Sequence, residues 1–142
     1  MRRATVLLET AAAQAMELAA RQAEPDEMVG LLAGHPTAAG LHVVHFAPLR
    51  EAVCGRDHFR VAPWHFAAAE QALRDAGLQW LGFAHSHPAG NPVPSAIDAQ
   101  QLWPHCLQLV LGSVRGAPAI GAFWRDADGL HELPLQAGPG GA

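Results

Sequence analysis

The sequence predicts a mixed α+β domain in which one central mixed β-sheet is flanked by about three helices. The chain has 142 residues and a mass of 15.0 kDa, and 50% of its residues are hydrophobic. This is enough apolar material for one core and leaves no room for a second domain of ordinary size. Short apolar runs typical of strands alternate with segments whose apolar residues recur at helical spacing, and this mixture indicates both kinds of element.

The first third of the chain predicts a strand, a helix and two further strands. Thr5–Leu8 has the composition of a short strand. Thr10 is placed to cap a helix that extends to about Arg21, because apolar residues recur along one face of that segment. Pro25 then ends the helix. Two apolar runs follow and predict strands: Met28–Ala33 and Leu41–Leu49.

The middle of the chain predicts a loop, a brief strand and a second helix. Residues 50–58 are polar and are expected to form a loop, and His58–Val61 has the character of a short strand. Pro63 stands at the first-turn position that proline favours, and Gly77 is suited to end the helix. Leu78–Phe83 predicts the next strand.

The last third of the chain predicts a third helix and a group of strands. A proline-rich loop leads to Ser95, which begins the helix, and Asp128-Gly129 is a hairpin turn signal. We expect residues 1–135 to form the domain and residues 136–142 to form a flexible, Gly-rich tail. The predicted strands are Leu107–Val114, Ala119–Arg125 and Leu130–Leu135.

Composition and charge argue against several classes of protein. Thirteen acidic residues against nine basic ones give a net charge of −4, which argues against a broad nucleic-acid interface. No apolar run approaches the roughly eighteen residues that indicate a membrane span, so we expect no membrane association. Cys54 and Cys106 do not form a Cys-x-x-Cys pair, which fits a reducing environment, and we expect a cytoplasmic protein.

Two histidines at the end of a predicted strand are candidate metal ligands. His85 and His87 are two residues apart, so on a strand their side chains point to the same face. Taken alone, this pair is more typical of two partly exposed side chains, because the chain has nine histidines. Asp98 makes a metal site the favoured interpretation, because it lies beyond a loop that can fold back over the strand end. Two histidines and one carboxylate are a typical catalytic zinc set with a fourth position open for water.

Ser95 and Glu27 complete the candidate site, and each has a simpler interpretation. Ser95 and Asp98 match a helix-capping arrangement, which is compatible with a serine hydroxyl that faces a metal. Glu27 precedes a predicted buried strand, where an ordinary exposed acid is the interpretation that the sequence alone favours. An acid at that place can also serve as general base and then general acid beside zinc-bound water. Asp26 and Glu24 are equally acidic neighbours, and the spacing does not choose among the three.

Together these residues resemble the JAMM signature of the MPN+ metalloproteases. That signature is a glutamate, then His-Ser/Thr-His-Pro, then Ser-x-x-Asp after a short loop. Its counterparts here are Glu27, His85-Ser86-His87-Pro88 and Ser95-Ala96-Ile97-Asp98, and the stretch Phe59-Arg60-Val61-Ala62-Pro63 agrees with the family as well. The similarity extends over about residues 5–135. It implies a single MPN-type domain and one Zn²⁺ per chain.

The resemblance implies a role for each site residue. His85, His87 and Asp98 correspond to the zinc ligands. Glu27 corresponds to the acid that polarises the zinc-bound water and passes its proton to the leaving amine, and this choice over its acidic neighbours comes from the family alone. Ser95 corresponds to the hydroxyl that helps to hold the tetrahedral oxyanion.

The chain resembles the compact, stand-alone prokaryotic form of the family. Such proteins often act on small ubiquitin-like or sulfur-carrier proteins that end in Gly-Gly. The implied activity is that of a zinc metallopeptidase that cleaves an amide or isopeptide bond after the Gly-Gly, releasing an amino acid or a protein lysine. The alternatives are a peptidase for short or cell-wall peptides and a non-catalytic MPN interaction module. An oligomer is compatible with the sequence.

Two arginines are candidates for substrate binding. A released amino acid has a carboxylate, which the planar fork of an arginine can bind through two parallel hydrogen bonds. Arg56 and Arg60 lie on either side of the start of the brief strand, and Arg60 has the stronger claim because it lies in the stretch that resembles the family. Both are equally typical of solvated surface charges. The four tryptophans are expected in the core or at its rim, and one of them can line a groove.

Overall fold

Thirteen short elements make up the fold of residues 4–137, which are the residues that the computed structural model describes. Three of these elements are helices and ten are strands. In chain order they are β1 Thr5–Leu8, α1 Thr10–Ala23, β2 Val29–Pro36, β3 Gly40–Pro48, β4 Val53–Cys54, β5 Phe59–Arg60, α2 Pro63–Asp75, β6 Gln79–Ser86, α3 Ala96–Gln101, β7 Leu107–Val114, β8 Ala117–Asp126, β9 Gly129–Glu132 and β10 Leu135–Ala137.

Eight of the strands form one mixed sheet with β2 and β6 at its centre. The strand order is β10-β1-β3-β2-β6-β7-β8-β9, and β4 and β5 form a separate two-stranded sheet. β1 is parallel to β3 and β10, and β6 is parallel to β7, whereas the other pairs are antiparallel. α3 lies in the connection between the parallel strands β6 and β7. Such a connection returns the chain to the start of the next strand and needs a crossover.

Helices bury both faces of the central strands. On one face, α1 contributes Met16 to a core cluster that includes Leu32 of β2. On the other face, Leu73 of α2 packs in a second cluster with Leu31 and Phe83. Because neighbouring strand residues point to opposite faces, β2 is buried on both sides, and this explains its continuous apolar sequence.

Gly82 allows β6 and β7 to lie in close contact. It pairs with Leu107, and a Cβ atom added at Gly82 would overlap the backbone of Leu107. A side chain at this position would therefore push the two strands apart. β6 is the strand that contains His85, so this contact helps to fix the position of the candidate site.

The predicted α+β architecture is confirmed, whereas two local predictions in the first half of the chain are wrong. Glu9, and not Thr10, occupies the N-cap position of α1, and it makes no side-chain capping hydrogen bond. The Glu9 N–H donates to the Val43 carbonyl of β3, which keeps that residue extended. Residues 50–58 are not a plain loop, because β4 pairs with β5. A strand of two residues is too short to show an apolar alternation in the sequence.

The C-terminal strands also differ from the prediction. The predicted strand Leu130–Leu135 is broken at Pro134 into β9, which pairs with β8, and β10, which pairs with β1. β9 and β10 lie at opposite ends of the strand order, yet two residues connect them, so the two sheet edges approach each other. β10 continues to Ala137, past the predicted domain boundary at residue 135. The rest of the expected tail, residues 138–142, lies outside the described residues.

No helix within residues 4–137 has the length and apolar composition that a membrane crossing requires.

Candidate metal centre and active site

The end of β6 brings together the three residues that were predicted to bind zinc. His85 lies in β6, His87 follows the last residue of that strand, and Asp98 lies in α3. The ligand atoms of the three residues all lie within 4.8 Å of one another. His85 and Asp98 are buried and His87 is partly buried, so the group is largely shielded from water.

The two imidazoles converge on one carboxylate oxygen. Asp98 Oδ2 lies 3.1 Å from His85 Nε2 and 2.9 Å from His87 Nε2, and the two Nε2 atoms are 3.2 Å apart. His87 Nδ1 lies 2.9 Å from the backbone carbonyl oxygen of Asn91, and this contact turns Nε2 towards the group. Two imidazole nitrogens and one carboxylate oxygen directed at one point are a suitable donor set for a metal ion. These residues therefore fit a bound metal.

The start of α3 holds Asp98 in place. The Ser95 N–H donates to Asp98 Oδ2 at 2.9 Å, and the Asp98 N–H donates to Ser95 Oγ at 3.0 Å. The predicted capping arrangement is therefore confirmed as a reciprocal capping box. Because Ser95 Oγ accepts the capping bond, its own hydroxyl hydrogen is still available to donate. Ser95 is exposed, so a substrate can reach it.

Glu27 lies just before β2 and is buried. Its side chain is 3% exposed, and Oε1 has no hydrogen-bond partner among the described residues. The Glu27 N–H donates to the carbonyl of Gly55 at 2.7 Å, which fixes the backbone. Burial raises the pKa of Glu27 to about 7. The neighbouring acids are less buried than Glu27. Asp26 is only partly buried and Glu24 is exposed.

The three residues of the candidate metal group differ in their ionisation. Burial opposes ionisation of Asp98, but its hydrogen bonds with His85 and His87 hold the pKa of Asp98 well below its usual range. Burial lowers the pKa of His85, which favours its neutral form. The hydrogen bond with Asp98 raises the pKa of His87. An ionised carboxylate and a neutral imidazole are the forms in which these groups bind metals.

A cavity of about 510 Å³ adjoins the metal group and is lined in part by Asp98. Its wall includes the aromatic side chains of Phe59 and Trp103, so Trp103 is a tryptophan that lines a groove. Arg60 also lines this cavity. Arg56 lies between β4 and β5 and does not belong to the cavity wall.

Two contributors to the site were missed by the sequence analysis. Asn91 orients His87 through its backbone carbonyl, and a backbone contact leaves no signal in the residue type. The ring centroid of Phe59 lies 5.0 Å from that of His85, so Phe59 covers one side of the metal group. Phe59 begins the Phe-Arg-Val-Ala-Pro stretch, and that stretch was the available signal.

The mixed sheet and the His-His-Asp group at the end of a central strand define a JAB-type domain. Residues 9–126 match the family described as prokaryotic homologs of the JAB domain, and the chain belongs to this family. The resemblance to the JAMM and MPN+ proteins is thereby confirmed.

Three relatives illustrate how far the similarity extends. A desampylase from Haloferax volcanii is 33% identical over 88 residues, which are 61% of this chain and 62% of that protein. The solution structure of a Desulfitobacterium hafniense protein matches with a TM-score of 0.84 and 29% identity, covering 93% of this chain and 92% of that one. The solution structure of a Salinibacter ruber protein has a TM-score of 0.64 and 22% identity, covering 94% and 92%, and supports the fold alone.

We predict about one tightly bound zinc per chain, held by His85, His87 and Asp98. Replacing both histidines with alanine removes two of the three ligands, so elemental analysis of the purified variant should find almost no zinc. His131→Ala is the matched control, because this exposed histidine pairs with Asp126 instead. The control should keep its zinc. Stoichiometric zinc in the double variant would contradict the assignment.

Proposed function

We propose that the chain is a zinc-dependent hydrolase that cleaves the amide or isopeptide bond after the C-terminal Gly-Gly of a ubiquitin-like or sulfur-carrier protein. The convergence of His85, His87 and Asp98, together with a buried Glu27 that interacts electrostatically with His87 and Asp98, carries this proposal. A purely scaffolding domain has no need for buried metal ligands, because burying such polar groups is unfavourable. The name of the Haloferax relative, a desampylase, implies a ubiquitin-like small archaeal protein as its substrate and supports the same class here.

Zinc is the metal that this donor set favours. Two neutral imidazole nitrogens and one carboxylate oxygen are the ligands of many catalytic zinc sites. In such a site the ion polarises the scissile carbonyl and lowers the pKa of a water ligand towards neutrality. The proposed setting is a reducing cytoplasm, which the free thiols of Cys54 and Cys106 fit.

Glu27 is the residue proposed to move the proton. Its Oε1 is buried and accepts no hydrogen bond from any described residue, so the carboxyl group keeps acceptor capacity that the fold does not use. With a pKa of about 7, the carboxyl group can accept a proton from water and return it to the leaving amine at neutral pH. The complete reaction adds water across the C–N bond and yields a carrier with a free carboxylate and a free amine.

Ser95 is proposed to stabilise the charge that develops on the scissile carbonyl oxygen. Its hydroxyl accepts the capping bond from Asp98 and keeps its hydrogen for donation. A donor that is already held in place costs little reorganisation when the charge appears. The capping box and the catalytic role are therefore compatible.

The cavity beside Asp98 is the proposed binding site for the substrate next to the cleaved bond. A Gly-Gly tail has no side chains, so it can pass a narrow opening in an extended form. The aromatic walls of Phe59 and Trp103 offer apolar contact to the segments on either side. Arg60 lines this cavity, and its proposed role is to bind a charged group of the substrate there.

Replacing Glu27 with glutamine should leave zinc bound and lower turnover by about 10²-fold or more, because the amide cannot accept the proton. Turnover is measured by weighing the products of carrier–cysteine and carrier–lysine conjugates in a mass spectrometer. Asp26→Asn is the matched control and should retain activity. If Glu27→Gln were active and Asp26→Asn inactive, the proton-transfer role would belong to Asp26. Cleavage of short peptides alone would contradict the carrier substrate.

Replacing Ser95 with glycine separates its two roles. Glycine is nearly as good an N-cap as serine, so the free energy of unfolding should fall by only about 0.3 kcal/mol. The lost donor should lower turnover by about 10²-fold. Ser95→Thr, which keeps the hydroxyl, should retain most of the activity. Full turnover in Ser95→Gly would show that the residue only caps α3.

Replacing Arg60 with alanine should impair one substrate more than another. If Arg60 binds the carboxylate of a released amino acid, a carrier–amino-acid conjugate should be processed much more slowly, while a carrier–amide without that carboxylate should be little affected. Comparing kcat/KM of Arg60→Ala and the wild type for the two substrates shows whether Arg60 binds this carboxylate. Equal losses on both substrates would mean that Arg60 is structural or contacts the carrier instead. Arg56→Ala, outside the cavity wall, is the control.

A further inference from the structure

β2 and β6 diverge where the candidate active site begins. The two strands pair along their length as far as Val29. Beyond that residue, the His87 N–H donates to the Leu111 carbonyl of β7 at 2.7 Å. The Glu27 N–H donates at 2.7 Å to Gly55, which follows β4. The backbones that hold the two functional side chains are therefore bonded to different neighbours.

Ser86 spans this point of divergence. Its N–H donates to the Met28 carbonyl at 3.1 Å, as in a regular antiparallel pair. A regular pair would also have the Met28 N–H donate to the Ser86 carbonyl, but here it donates to Ser86 Oγ at 2.9 Å. Ser86 is 3% exposed, so this bond is shielded from water. A side-chain hydroxyl thus replaces a backbone carbonyl in the last contact between the two strands.

We propose that Ser86 is a positioning residue whose hydroxyl sets the separation between Glu27 and His87. Met28 directly follows Glu27, and Ser86 directly precedes His87, so the bond between them is one residue away from each functional side chain. Catalysis requires the proton-transfer group and the metal group to be held at a fixed separation, because a small displacement misplaces the reacting atoms. This inference rests on the proposed function.

Ser86 acts through the backbone and not on the substrate. Successive strand residues point to opposite faces, so its side chain points away from the face of His85. There it lines a second cavity, of about 280 Å³, together with Ala20 of α1. Threonine keeps the hydroxyl and adds one methyl group, so it is the conservative replacement.

The test compares Ser86→Ala with Ser86→Thr. Ser86→Ala leaves the Met28 N–H without its acceptor, so hydrogen exchange at this amide, measured by NMR, should be about tenfold faster or more. Its kcat should fall by about tenfold to a hundredfold, with KM and zinc content nearly unchanged. Ser86→Thr should restore both the slow exchange and the kcat. If Ser86→Ala does not fold, Ser86→Cys, a weaker acceptor of similar size, takes its place.

Val6→Ala is the control for a general loss of stability, because Val6 is fully buried in β1. It should lower the melting temperature but leave kcat unchanged, and any faster exchange at Met28 should be matched at the other buried amides. Wild-type protein that cleaves no conjugate would overturn the proposed function and the positioning role with it. Where the wild type cleaves, unchanged Met28 exchange or unchanged kcat in Ser86→Ala would overturn the positioning role alone. A loss of kcat in Val6→Ala as large as the loss in Ser86→Ala would also overturn the positioning role.

Discussion

One carboxylate oxygen connects the sheet to the helix that completes the site. Asp98 Oδ2 accepts the Ser95 N–H at 2.9 Å and contacts the Nε2 atoms of His85 and His87. Burying a carboxylate is unfavourable unless its charge is compensated, so these partners are what allow Asp98 to be buried. α3 has six residues and is too short to be stable alone, so its position depends on this contact with the end of β6.

The site places two buried carboxyl groups in opposite environments. Asp98 is surrounded by hydrogen-bond partners that keep it ionised, as a metal ligand must be. Glu27 has a free oxygen and few compensating contacts, so burial raises its pKa to about 7. A pair of acids whose environments separate their pKa values is a common basis for different roles within one site. The proposed hydrolase uses one acid to hold zinc and the other to move a proton.

The sequence predicts the grouping of His85, His87 and Asp98 more closely than it predicts several elements of the fold. The two-residue spacing of His85 and His87 is a direct consequence of strand geometry, and Ser95 is recognisable as a cap from its own type. Glu27 was chosen from the family pattern, because its neighbours are equally acidic and only their burial differs. The Ser86–Met28 bond joins residues that are 58 positions apart, so no local pattern indicates it. The break before β10 likewise depends on pairing with the distant strand β1.

X-ray absorption at the zinc edge of the purified protein tests the central claim most directly. The account predicts that the ligand shell of the zinc consists of nitrogen and oxygen atoms, with the multiple-scattering signature of two imidazoles. The same shell should lose its imidazole signal when His85 and His87 are replaced. A shell that contains sulfur would contradict the account, because it would place the metal on Cys54 or Cys106 and not on the group of His85, His87 and Asp98.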